Sequence, residues 1–243
     1  VSDPRSARRR ALLLAATEPA RTLVSAGGAA ASALPLLRWA PRGEPHPVLV
    51  LPGFLASDVS TRVLRTWLRR LGYPVVGWDL GRNRPGREID EGLTRLLDRL
   101  AAEHRTAVSI VGWSLGGIYA RRLARQSPRQ VRQVVSLGSP FASHQPWLAG
   151  PRHRPRTTLS RPLPVPSTAV YSRWDGVVDW QACRQQTGPT SENVAVRSSH
   201  LGMGHDPAVL WVVADRLAQP RHDWRPFERP TRFGVGALFP PES

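Results

Sequence analysis

A chain of 243 residues, 41% of them hydrophobic, can bury one sizeable core, which excludes disorder along its whole length. Its formal net charge of +16 is carried by 34 arginines and no lysine. They are scattered over Arg8 to Arg10, Arg69 and Arg70, Arg121 and Arg122, and Arg152 to Arg156. That pattern reads as a compositional habit and a solvated basic surface, so no specific nucleic-acid partner is expected; weak contact with an anionic membrane surface is the remaining use.

The one cysteine, Cys183, excludes an intrachain disulfide and fits a reducing compartment. A cytoplasmic location is expected, with peripheral membrane contact as the alternative. Arg8-Arg9-Arg10 followed by Ala11 to Ala16 has the opening of a secretory leader, but the apolar run ends at Thr17-Glu18-Pro19, short of the roughly 7–15 residues such a core uses. The uncharged stretch from Thr22 to Leu37 falls short of the ~20 residues of a spanning helix. Residues 5–38 are read as one or two helices lying on the domain or on a membrane surface.

The segments fall into an N-terminal helical part (1–44), an α/β domain (45–218) and a Pro/Arg-rich tail (219–243). Within the domain, short β-branched runs bounded by turn residues read as buried strands: Val48 to Leu51, Val75 to Trp78, Ala107 to Val111, Val134 to Leu137, Thr168 to Tyr171 and Asn193 to Val196. Between them lie amphipathic helices. Leu64, Leu68 and Leu71 share a face with Trp67, and Ile89, Leu93, Leu96, Leu97 and Leu100 repeat that spacing over three turns. Leu115 to Arg125 is a third. Asp206-Pro207, an N-cap followed by proline, opens a fourth that carries Val209, Leu210, Val213 and Leu217. Strand–helix alternation predicts a mostly parallel, doubly wound sheet of about six strands. Residues 142–166 break the rhythm and are expected to form a short lid, with Trp147 and Leu148 near the pocket and Arg152, Arg154, Arg156 and Arg161 available to an anionic group.

Gly112-Trp113-Ser114-Leu115-Gly116 stands between a predicted strand and a predicted helix. A serine on such a turn is exposed at a helix N-terminus, and the glycines allow the two backbones to approach. A serine hydroxyl needs a base, and the base an orienting carboxylate. In an elbow of this type the chain order is serine, acid, histidine. His200 follows the last predicted strand and is the expected base, with His205 as runner-up. Asp175, Asp179 and Glu192 are the acids between Ser114 and His200. Asp175 follows a strand and is preferred, Asp179 competes, and Glu192 precedes its strand. The oxyanion donors are expected to be the N–H groups of Leu115 and Phe54, with Leu55 second to Phe54. Leu55, Trp113 and Phe141, with Phe54, are candidates for an apolar substrate site; Trp113 and Phe141 are equally readable as core. No metal-ligand spacing is visible, and no cofactor is expected.

Leu51-Pro52-Gly53-Phe54, Gly112 to Gly117, Asp175-Gly176-Val177-Val178 and Ser199-His200-Leu201-Gly202 together resemble a bacterial α/β-hydrolase of the small lipase/esterase type over about residues 46–218. The resemblance implies an ester-cleaving triad and a core lacking the first two strands of the full fold. The oxyanion loop departs from the pattern: it is Pro-Gly-Phe, neither the common His-Gly nor the glycine-rich lipase form. A small-molecule or lipid ester is the expected substrate. An acyltransferase or thioesterase with the same triad, and a non-catalytic binding protein on the same scaffold, are the rival readings.

Overall fold

The computed structural model describes residues 12–23, 27, 36–142, 157–231 and 234–241. The six apolar runs form six strands: β1 (Val48–Leu51), β2 (Val75–Val76), β3 (Val108–Trp113), β4 (Val131–Leu137), β5 (Ser167–Ser172) and β6 (Ser191–Val196). They make one sheet in the order β2-β1-β3-β4-β5-β6, and every pairing is parallel. The expected class, a doubly wound sheet of about six strands, is the class observed, and none of its six strands runs antiparallel.

Helices cover both faces. Residues 12–23 form α1. Then follow α2 (Arg62–Arg70), α3 (Arg87–His104), α4 (Leu115–Gln126), the single turn α5 (Thr157–Ser160) and α6 (Pro207–Ala218). Because side chains alternate along a strand, each strand feeds two cores. Val48 and Val50 pack with Leu64, Trp67 and Leu68 of α2 and with Val209 and Val213 of α6. Leu49 and Leu51 pack with Leu93, Leu96 and Leu97 of α3 and with Ile118 and Leu123 of α4. Burial on both faces is why these strands read as continuous apolar runs instead of alternating ones.

Only β1 keeps the limits expected from the sequence, and two of the differences, at β2 and β4, have a polar reason. β2 stops at Val76 because the N–H groups of Trp78 and Asp79 turn to the Asp58 carboxylate, at 3.1 and 3.0 Å. β4 starts earlier than expected because Arg132 and Gln133, although polar, find partners: they donate to the Gln219 and Arg216 carbonyls at the end of α6, at 3.0 and 3.1 Å.

The expected lid falls largely on residues 143–156, which lie outside the described residues, as do Trp147, Leu148, Arg152, Arg154 and Arg156. Its described end is held by Arg121 of α4. This fully buried guanidinium donates to the Leu159 carbonyl (2.7 Å), the Arg161 carbonyl (2.8 Å) and Gln185 Oε1 (2.6 Å). Arg161 thus contributes its backbone carbonyl here. Burial lowers the Arg121 pKa to about 9. Among the described residues, no helix is long and apolar enough to cross a membrane.

Candidate active site

Strand order places the site. The chain steps from β1 to β2 on one side and then to β3 on the other, so a crevice opens beyond the C-terminal ends of β1 and β3. Ser114 follows β3 there, and the loop after β1 runs beside it: a Cβ added to Gly53 would lie 3.3 Å from the Ser114 Cβ.

Ser114 is at φ 53° and ψ −119°, backbone that a residue bearing a Cβ rarely adopts. Packing enforces it. Gly112 and Gly116 are in such close contact that a Cβ on Gly112 would stand 2.5 Å from the Gly116 carbonyl. The Ser114 N–H also bonds the Leu137 carbonyl of β4 at 2.8 Å. Strand and helix are thus pinched together, and the serine is thrown out at the tip of the turn.

His200, after β6, sits between the other two side chains. Its Nε2 is 3.1 Å from Ser114 Oγ, and its Nδ1 is 2.7 Å from Asp175 Oδ2. The ring and the carboxylate are both buried, which strengthens their hydrogen bond. The remaining Asp175 oxygen, Oδ1, accepts the N–H groups of Val177 and Val178 at 2.9 and 2.7 Å, so the carboxylate cannot swing. Gly138, at φ 53°, gives the cluster room: a Cβ there would meet Met203 Sδ at 2.8 Å and both Asp175 Oδ2 and His200 Nδ1 at 3.3 Å.

The competing side chains are occupied elsewhere. Asp179 caps the turn Trp180–Cys183 through the Gln181 N–H. Glu192 lies at the N-terminal start of β6, inside the strand, where it meets Arg216 Nη1 at 2.7 Å, Thr168 Oγ1 at 2.8 Å and the Phe227 N–H at 2.7 Å. His205 Nε2 lies 3.3 Å from the Thr22 carbonyl. Cys183 is buried, and burial together with Asp175 and Asp179 pushes its thiol well above the ordinary range.

Of the oxyanion candidates, Leu55 is withdrawn. Its N–H donates to the Asn83 carbonyl at 2.8 Å, and the residue is at φ 58°. Leu115 heads α4, and among the described residues no hydrogen bond takes its N–H. Phe54 lies on the turn between Gly53 and Leu55. That turn is stapled by Asn83, a residue the sequence reading missed. Its side-chain amide donates to the Pro52 carbonyl at 2.7 Å, and its backbone N–H donates to the Ala56 carbonyl at 2.8 Å.

Trp113 and Phe141 prove to be core. Trp113 packs with the α2 and α6 side chains and donates its indole N–H to the His200 carbonyl at 3.1 Å. Phe141 is 1% exposed beneath the Arg121 guanidinium, 4.3 Å from the ring centre. Exposed apolar side chains on the loops bearing the candidate residues include Phe54, Leu55, Val177 and Leu201. Val177 and Leu201 carry no signal in the sequence beyond adjacency to Asp175 and His200. No group of three or more His, Cys, Asp or Glu side chains among the described residues could hold a metal ion.

No family model matches the chain. A stretch of 118 residues is 34% identical to the homoserine O-acetyltransferases of two Thermus thermophilus strains. It covers 45% of this chain and 30% of those proteins, so the chain matches under a third of the length of these curated relatives. Aspergillus fumigatus lipase B superposes with a TM-score of 0.59 at 19% identity, over 84% of this chain and 62% of that one. An alpha/beta superfamily hydrolase from Oenococcus oeni PSU-1 gives 0.56 at 15% identity, over 71% and 91%. At these identities the likeness is one of architecture, and it agrees with the parallel six-stranded sheet and the strand-to-helix elbow: the chain is built on the α/β-hydrolase fold.

Proposed function

We propose that the protein is a serine hydrolase of carboxylic esters, with Ser114 as nucleophile, His200 as base and Asp175 as its orienting carboxylate. The observation that carries this reading is the single imidazole within hydrogen-bonding reach of both Ser114 Oγ and Asp175. Ser114 Oγ attacks the ester carbonyl while His200 Nε2 takes its proton. The oxyanion is met by the N–H groups of Leu115 and Phe54, each such donor contributing about 3–4 kcal/mol in the transition state. His200 then returns the proton to the departing alcohol, leaving an acyl group on Ser114. Water, activated by the same histidine, releases the acid. Phe54, Leu55, Val177 and Leu201 give the mouth an apolar rim suited to an acyl or lipid ester.

The test is Ser114→Ala with a chain-length series of p-nitrophenyl esters. Turnover should fall by several orders of magnitude without unfolding, and a fluorophosphonate should label the wild type and not the variant. An alanine variant with wild-type turnover would overturn the mechanism. One observation favours a second reading: the partial match to an acetyltransferase. An acyl-enzyme partitions between water and an alcohol, so adding homoserine or simple alcohols to the assay and quantifying the new ester separates transfer from hydrolysis.

A further inference from the structure

Glu18, in α1, is only 3% exposed, and a carboxylate removed from water must be fully hydrogen-bonded. Its oxygens are divided between the two loops that carry the acid and the base. Oε1 accepts the Leu201 N–H at 2.8 Å; Oε2 accepts the Gly176 N–H at 3.1 Å and Arg21 Nη2 at 2.9 Å. Leu201 is the residue after His200, and Gly176 is the residue after Asp175. One rigid group of three atoms therefore fixes the spacing of the two loops, one residue away from each functional side chain.

The surrounding contacts hold α1 in that place. Arg21 also donates to the Trp174 carbonyl, just before Asp175, and to the Leu14 carbonyl at 2.6 Å. Thr22 Oγ1 meets Ser199 Oγ at 3.0 Å, and Ser199 Oγ in turn accepts the Gly202 N–H at 3.1 Å. Gly176 is shaped to this helix: a Cβ there would fall 2.6 Å from the Leu14 carbonyl carbon and 2.8 Å from Glu18 Oε2.

We propose that Glu18 is a positioning residue for Ser114, His200 and Asp175, its carboxylate clasping the acid loop to the base loop so that the imidazole spans serine and aspartate. The inference rests on the hydrolase reading above. A side chain that merely fastened α1 to the surface would support stability and leave the chemical step alone; a clasp sets the rate of that step with little effect on substrate binding.

Glu18→Gln separates the two. The amide keeps the volume but offers one acceptor oxygen, and its NH2 faces an N–H donor, so one loop is released. In folded Glu18→Gln, kcat for p-nitrophenyl ester hydrolysis should fall on the order of 10- to 100-fold with KM unchanged. Fluorophosphonate labelling of Ser114 should slow by the same factor, and amide exchange at Gly176 and Leu201 should accelerate. Gly176→Ala, which displaces α1 and leaves Glu18 in the chain, should reproduce the fall in kcat and the slower labelling; it carries the test if the first variant does not fold by circular dichroism. Folded variants that label Ser114 at the wild-type rate overturn the clasp alone. A wild-type protein that takes no label overturns the Ser114 reading, and the clasp with it, before any variant is made.

Discussion

The indole N–H of Trp113 donates to the backbone carbonyl of His200, linking the last residue of the strand that delivers Ser114 to the loop that delivers the imidazole. The two side chains are coupled covalently through the chain on one side and by this hydrogen bond on the other. Trp113→Phe takes the indole donor from the His200 carbonyl and leaves it only the longer Met203 N–H contact at 3.4 Å, a loss of about 1 kcal/mol. Urea denaturation should register that loss. Ester kinetics should show kcat falling with KM nearly constant, because the ring holds the loop that bears His200.

Backbone strain at Ser114 makes a second prediction. A residue with a Cβ at this φ and ψ stores about 1–3 kcal/mol, whereas glycine adopts the conformation freely at an unfolded-state cost of roughly 0.4–1 kcal/mol. Ser114→Gly should therefore be more stable than Ser114→Ala by about 1 kcal/mol in chemical denaturation, although both lack the hydroxyl proposed as nucleophile. Equal midpoints would mean that the turn is not strained.

Gly138→Ala tests the room around the imidazole–carboxylate pair. The added methyl meets left-handed backbone and the Met203 sulfur at once, and it presses on both Asp175 Oδ2 and His200 Nδ1. The variant should lose more in kcat than in stability. Circular dichroism alongside ester turnover would show it, and a variant with unchanged kcat would contradict the packing described.

His46 predicts a pH dependence of stability away from the site. It is buried between Ser109 Oγ (2.8 Å) and the Glu44 carbonyl (2.9 Å), and burial lowers its pKa from 6.5 to about 4. The folded form therefore resists protonation where the unfolded chain accepts it. Stability from this group is full above pH 6.5, declines as pH falls toward about 4 and is level below. The span is on the order of 3 kcal/mol. His46→Gln should flatten the denaturation midpoint across that window; an unchanged slope would assign the effect to other groups.

Much of this architecture could be read from side-chain patterning. β1 was legible to the residue because Val48 to Leu51 is an uninterrupted apolar run buried on both faces. Ser114, Asp175 and His200 could be picked out because chain order leaves few acids and histidines downstream of the elbow. What stayed hidden is carried by backbone groups. Glu18 holds two main-chain N–H donors, Asn83 withdraws the Leu55 N–H, and Trp113 caps a main-chain carbonyl; none of these partners has a side-chain signature. The same holds for β2, whose end is decided by a distant aspartate, and for Arg132 and Gln133, which sit in a strand only because the end of a helix offers them acceptors.

The lone thiol of Cys183 has a practical consequence. It is shielded and hard to ionise, and the chain contains no lysine at all. Thiol- and amine-directed reagents therefore find almost no side chain to modify. A single cysteine introduced at an exposed position on any loop becomes a unique chemical handle, so a fluorophore or spin label can report from one chosen place on the surface without first stripping the protein of competing sites.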